Sequence, residues 1–308
     1  MVRFVVRRVL SAIPVLWIVI TVTFVLMHAA PGGPWDALSV HKRLDPALQA
    51  AFNHRYGLDK PLYQQYFIYL NNVIHLNFGT SFSQQGTSTL SVIFTGFPYS
   101  AAIGLFGFIF AVIIGIPIGI LAAVKQNTWA DYSSLFIATI GYAVPNFVIG
   151  VFLLVVFGVK LGMVSILWHG HWENYILPSI VLGLGPAAYL ARLSRATMLD
   201  EIQHDYVRTA RAKGLRFTSI VFLHVVRNAI IPVVTIMGPA IASLVTGTII
   251  IEEVFNVPGM GHLYITSINA RDYPVIMGTT LLYAVFIIVG NMLVDITYGL
   301  IDPRIKSS

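Results

Sequence analysis

Polar positions are so sparse along this chain that they divide it into six long apolar runs. The first lies between Arg8 and Asp36, the second runs from about Phe97 to Val124, and the third lies between Asp131 and Lys160. The fourth follows Glu173 and stops at Arg192. The fifth fills the uncharged interval between Arg227 and Glu252, and the sixth starts near Pro274 and passes Asp295 toward Asp302. A helix needs roughly 20 residues to cross a hydrocarbon core, and each run is of that order. Strands of a closed barrel would be about 10 residues long and would alternate strictly, so these runs are too long and too evenly apolar for strands. Glycine and proline recur inside them (GIPIGI, VLGLGP, IMGP). In lipid such residues permit close helix contact and mild kinks. The pattern predicts an all-α integral membrane protein with six transmembrane helices.

Composition agrees: of 308 residues, 56% are hydrophobic and 10% charged, and the mean hydropathy is +0.78. A soluble domain carries about 25% charged residues. Charge then sets the orientation, because basic loops stay in the cytoplasm. An N-in, C-in arrangement places Arg3, Arg7, Arg8, Lys125, the basic residues from Arg192 to Arg227, Arg304 and Lys306 on that side. Along the chain this gives an N-terminal segment and first helix in 1–30 and an external loop region in 31–96. A core of helices two to six in 97–302 contains a cytoplasmic segment at 198–228, and 303–308 is a cytoplasmic tail. The N-terminal apolar stretch is near 20 residues, longer than the roughly 7 to 15 of a signal-peptide core, so it reads as an uncleaved first helix. The net charge of +6 follows from basic residues that flank spans and meet anionic headgroups, so no nucleic-acid partner is expected.

Several chemistries lack their residues. With no cysteine there are no disulfides, thiolate sites or cysteine nucleophiles. Neither Gly-Lys-Ser nor Gly-Lys-Thr occurs, so the phosphate-cradling loop of a self-powered pump is missing. His-Glu-x-x-His and Gly-x-Ser-x-Gly are missing too, and no catalytic residue is assigned. His169, His171 and Glu173 share one short loop with donors a metal could use, but loop histidines near a membrane surface are more often polar interfacial residues, and no metal site is assigned. An ion-coupled secondary transporter would place ionisable groups at mid-membrane. The one candidate, Asp295, lies within about two turns of the cytoplasmic end.

The longest cytoplasmic segment is RLSRATMLDEIQHDYVRTARAKGLRFTSIVFLHVVRNAIIP, Arg192 to Pro232. At 100° per residue, Ile202, Tyr206, Thr209, Ala210 and Lys213 share one narrow face, while Arg208 and Arg211 point away. Gly214 suits a helix C-terminus, and Thr218 or Ser219 could cap a second helix through Val226 toward Pro232. A lever between spans four and five and an amphipathic helix lying on the membrane surface are both consistent with this pattern.

The spacing from Ala210 through Gly214 to Pro232 resembles the cytoplasmic coupling signature of ABC importer permeases, in which Glu-Ala-Ala is followed after three residues by Gly and later by an apolar pair and Pro. Here Arg208 and Thr209 stand for the Glu and the first Ala. YVRTARAKGL followed by HVVRNAIIPVVT is similar to the form in dipeptide and oligopeptide permeases of the first type, which have the longer external loop. YGLDKPLYQQYFIYL, NFGTSF, EEVFNVPGMGHL, ARDYPVIMG and VDITYGLIDPRI extend the resemblance over most of the chain. Gly33 and the LNFG stretch depart from the family pattern in the external loop.

The resemblance implies a type I ABC importer permease fold in a bacterial or archaeal cytoplasmic (inner) membrane. The implied partners are a homologous second permease, two ABC ATPases or one heterodimer, and an extracytoplasmic solute-binding protein. ATP and Mg are used by the ATPases, and no cofactor is bound by this chain. The coupling segment would comprise Tyr206, Arg208, Thr209, Ala210, Lys213, Gly214 and Pro232. The solute would be a di- or oligopeptide, with glutathione, a nickel complex or an oligosaccharide as alternatives. A zwitterionic solute needs sparse polar lining, for which Asn146, Thr235, Ser243, Thr246 and Thr248 are candidates. Each could equally make an interhelical hydrogen bond worth under about 2 kcal/mol. Glu252 and Glu253 would stand at the external mouth or cap span five.

Overall fold

The computed structural model describes residues 2–35, 46–245 and 249–301, with the side chains of 2–5, 238, 239, 242, 243, 245 and 293–301 outside the description. Among the described residues the chain is helical, with one isolated β-bridge between Thr80 and Ser88. In chain order the helices are α1 (Val2–Ala29), α2 (Pro46–Tyr56), α3 (Leu62–Ile74), α4 (Thr89–Val124), α5 (Trp129–Ala143) and α6 (Asn146–Leu153). They continue with α7 (Glu173–Ile202), α8 (Asp205–Ala212), α9 (Phe217–Ile220), α10 (Val226–Val245), α11 (Ile249–Val254), α12 (Met260–Asn269) and α13 (Tyr273–Ile301). π-helical turns extend α6 over Leu154–Lys160 and join α9 to α10 over Val221–Val225.

Among the described residues five stretches are long and apolar enough to cross a membrane, in α1, α4, α7, α9–α10 and α13, and α5 with α6 makes a sixth when taken as one span. That third span departs from a single, mildly kinked helix. Its two halves meet at 101°. The cause is Pro145: it lacks an N–H and crowds the residue before it, so Val144 is extended (ψ 127°) and α5 stops at Ala143.

The external region also differs from a loop spanning 31–96. It holds α2 and α3, and α4 begins at Thr89, eight residues before Phe97, because TLSVIFTG has no helix breaker until Gly96. The stretch 198–228 is mostly helical, and its first residues belong to α7, which continues past Arg192 to Ile202.

Contacts group the chain into two compact units. The first joins residues 1–99 with 258–289. Its core is aromatic: Phe24, Met27, Phe82, Tyr273, Ile276 and Met277 are buried together, flanked by Phe52, Tyr56 and Tyr69 of the external helices. Burial pushes the Tyr69 phenol well above its ordinary pKa. Asp272, fully buried ahead of α13, accepts hydrogen bonds from the Ser81 and Ser83 hydroxyls and the Ser83 backbone N–H, which fastens the SFS turn to the start of the sixth span.

The second unit joins 100–257 with 290–308, and a seam of small residues organises it. Gly107, Ala111, Gly115, Gly119 and Ala123 recur every fourth position on α4, and Ser179, Gly183, Ala187 and Ala191 do so on α7. The two stripes touch through backbone. A Cβ added at Gly183, Gly115 or Gly119 would fall within 3.0 Å of the carbonyl oxygens of Gly107, Ala187 and Ala191 respectively. Lipid tails are as apolar as leucine, so such close approach, rather than expulsion of apolar surface from water, holds the pair together. One turn beyond Ala191 on α7, Arg195 clasps Asp131 of α5 with two hydrogen bonds (2.6 and 2.8 Å), and the Asn127 N–H completes the carboxylate's partners at 3.0 Å.

Candidate functional site

The second unit carries a short helix slung between spans four and five. α7 ends at Ile202, Gln203 and His204 form a break, and α8 runs from Asp205 to Ala212. His204 is extended (ψ 151°) and starts α8 without a side-chain cap, while Asp205 in the first turn complements the helix dipole. At the other end Gly214 adopts φ +79°, as a left-handed terminator requires. Two backbone bonds close the turn, Leu215 N–H to Ala210 C=O (3.3 Å) and Gly214 N–H to Arg211 C=O (2.9 Å). The next helix starts at Phe217 with Arg216 at its cap position, so neither Thr218 nor Ser219 caps it.

One residue seats α8. Val207 is 1% exposed and sits in a socket formed by Ala123 of α4, Met198 of α7, and Ile220, Val221, Val225 and Ala229 of the fifth span. Tyr206 and Ala210 pack beside it with Ile120, Leu199, Ile202 and Phe217. The face expected to dock outward is therefore divided. Tyr206 and Ala210 turn inward onto this chain, whereas Thr209 and Lys213 are exposed together with Arg208, Arg211, Ala212 and Gly214. Ile202, Tyr206 and Ala210 share the inward side across the break, but Val207, about 100° round the helix from Tyr206, lies at its centre and so leaves Thr209 and Lys213 to solvent. Burying Val207 requires the rotation seen, because it is the one branched aliphatic residue in α8.

The exposed face is basic. Arg208 lies 3.6 Å from Asp205, with side chains 78% and 96% exposed, a pair of little energetic weight. The Arg211 guanidinium sits 4.7 Å above the Phe217 ring, and Arg216 is exposed at the turn. On the inner side the Tyr206 hydroxyl donates to Glu201 at 2.9 Å. Burial, and then the Glu201 carboxylate, push this phenol above its ordinary pKa, so it remains a donor at any physiological pH. Pro232 lies exposed within α10, four residues after Asn228, whose carbonyl it leaves without a helical donor.

The remaining candidates scatter. Asn146 opens α6 just after Pro145 and faces Gly185 of α7, its amide nitrogen 3.8 Å from where a Cβ there would lie. Thr235 is half-buried in α10. Thr246 and Thr248, and the side chain of Ser243, lie outside the described residues, as do Asp302, Arg304, Lys306 and the side chain of Asp295. Glu252 does not stand at an open mouth. It is 1% exposed and accepts a 2.7 Å hydrogen bond from the Ser100 hydroxyl, while its neighbour Glu253 is exposed. Burial of Ile251 and Glu252 together turns that side of α11 inward. Among the described residues no group of three His, Asp or Glu side chains is placed to hold a metal.

Comparison with known proteins covers the whole chain. Residues 115–307 match the family described as binding-protein-dependent transport system inner membrane component, and residues 1–103 match its N-terminal companion. The chain is 39% identical to the dipeptide transport system permease protein DppB of Bacillus subtilis over 99% of its own length and 98% of the relative. It is 38% identical to the oligopeptide transport system permease protein OppB of Haemophilus influenzae, covering 99% and 100%. To the glutathione transport system permease protein GsiC of Shigella flexneri it is 40% identical, covering 99% of both. Among solved structures, the inward-facing MetNI methionine ABC transporter aligns with 67% of this chain and 96% of its own at a TM-score of 0.43 and 16% identity, a likeness too distant to carry weight.

Proposed function

Because this chain belongs to the binding-protein-dependent transport system inner membrane components, we propose that it is the permease subunit through which an ATP-driven importer takes up di- and oligopeptides. The single observation that carries this is end-to-end identity with permeases named for dipeptides and oligopeptides, at 39% and 38% over 99% of the chain. A relative named for glutathione, at 40% identity, fits the same chemistry, since glutathione is itself a peptide.

In this reading the chain sits N-in and C-in in the cytoplasmic membrane of a bacterium or archaeon. It pairs with a homologous second permease, and the solute passes between them. A solute-binding protein delivers peptide from outside, and two ATPases bind ATP and Mg below. The ATPases press on the exposed side of α8, formed by Arg208, Thr209, Arg211, Ala212 and Lys213. Val207 in its socket passes the push to spans two, four and five, since those helices supply the socket walls. Asn146 and Thr235 offer polar lining along the path, and exposed Glu253 is available to the binding protein at the outer side.

Uptake of a labelled tripeptide into proteoliposomes tests the reading. It requires this chain, its partner permease, the ATPases, the binding protein and internal ATP. Uptake driven instead by an imposed proton or sodium gradient without ATP would contradict it.

A further inference from the structure

The Glu201 carboxylate, in the last turn of α7, lies where three elements meet. Its Oε1 accepts a hydrogen bond from the Tyr206 hydroxyl of α8 (2.9 Å) and another from the Asn228 side-chain amide of α10 (2.9 Å). Its Oε2 lies 3.5 Å from Nε2 of His204, and the Glu201 side chain is 17% exposed. Between Glu201 and Tyr206 the backbone breaks at Gln203 and His204, where the bonds are turn-like, Gln203 N–H to Asp200 C=O and His204 N–H to Glu201 C=O, both 3.2 Å. Such a break is a swivel. The Val207 socket resists withdrawal of α8, but apolar contact is non-directional and does little to resist rotation about the helix axis. Hydrogen bonds to an ionised acceptor are directional and about twice as strong as neutral ones.

We infer that Glu201 is a positioning residue of the transport cycle: its carboxylate latches α8 across the swivel to both α7 and α10, so that a push on α8 moves spans four and five as one body. The inference rests on the reading of α8 as the element an ATPase presses. The two parts of the latch are separable in chemistry. Tyr206 to Glu201 bridges the break, and Asn228 to Glu201 ties the ends of spans four and five to each other. A socket alone would let α8 roll in place and lose part of the stroke.

The absence of cysteine provides the test. In the complex purified through a tag on this chain and reconstituted in liposomes, Glu173→Cys gives this chain its one thiol, at the far end of α7, about 42 Å from Glu201, and label is read on this chain after the subunits are separated. Its labelling rate by an impermeant maleimide is measured with and without ATP plus vanadate. No nucleotide-dependent change in that background would overturn the ATP-driven lever itself, and the latch with it. Given such a change, Tyr206→Phe keeps the ring in the socket wall and removes only the donor, Glu201→Leu removes the acceptor, and Glu201→Gln retains an acceptor oxygen. The nucleotide-dependent change is expected to shrink at least about fivefold in Tyr206→Phe and Glu201→Leu and to stay within about threefold of wild type in Glu201→Gln. Nucleotide trapped per complex should be unaltered throughout. A wild-type labelling change in Tyr206→Phe overturns the latch and leaves the lever standing, and that variant decides alone if Glu201→Leu does not assemble.

Discussion

At the scale of single residues, α8 shows how differently neighbours contribute. Val207→Ala removes two buried methyls' worth of contact from the socket, about 2 kcal/mol at roughly 0.8 kcal/mol per group with the cavity term added, and should lower the melting temperature of the detergent-solubilised complex. Arg208→Ala, one position on, removes only an exposed ion pair and should stay within about 0.5 kcal/mol of wild type when the solubilised chain is melted without its ATPases. Gly214→Val forces a β-branched residue into φ +79°, at about 1–2 kcal/mol or more, although no atom lies within 4 Å of the new Cβ. Its effect is on the aim of α8 rather than on packing, so it should reduce solute-stimulated ATP hydrolysis while membrane insertion is unchanged. Gly214 was legible in the sequence because left-handed backbone selects glycine. The socket was not: Val207 meets Ala123, Met198 and Ile220 only after four helices have assembled, and no local spacing marks such a meeting. Glu252 misled for a related reason, since a pair of glutamates beside an apolar run resembles a solvated mouth until Ser100, 152 residues away, covers one of them.

Elements were easier to read than their shapes. Among the described residues each apolar run holds helix, and five contain a helix long enough to cross a membrane, with the bent α5–α6 pair as the sixth, because the length and uniformity of a run respond to the bilayer. The bend of 101° in the third span depends on one proline whose presence in the run was visible and whose angle was not. The packing of α4 on α7 is a property of two stripes together. Gly183→Leu would drive a side chain into the Gly107 backbone and should part the helices, seen as loss of folded complex in size-exclusion profiles after solubilisation. Gly185→Ala, two residues along, meets nothing nearer than the Asn146 amide at 3.8 Å and should be tolerated in that profile. Asp131→Ala leaves the Arg195 guanidinium without the carboxylate that now makes two bonds to it, and because Arg195 stays partly exposed to solvent the loss is about 1–3 kcal/mol. Thermal unfolding should show that loss, with Asp131→Asn less affected. The pairing spans 64 residues and so had no signature along the chain.

For the whole molecule, composition and apolar periodicity define a multi-pass membrane protein, whereas its energy source depends on what the exposed basic side of α8 meets. The missing nucleotide-binding loop and the short helix between spans four and five belong to one account, in which ATP is bound by a partner and felt here through Val207 and Gly214. The most direct measurement is to draw this chain from its own membranes by an affinity tag and assay the purified material for ATP hydrolysis. The account predicts a stoichiometric ATPase that comes with the chain, and a Gly214→Val complex whose hydrolysis no longer responds to loaded binding protein. Isolation of a chain that carries no ATPase, yet moves solute when given only an ion gradient, would contradict it.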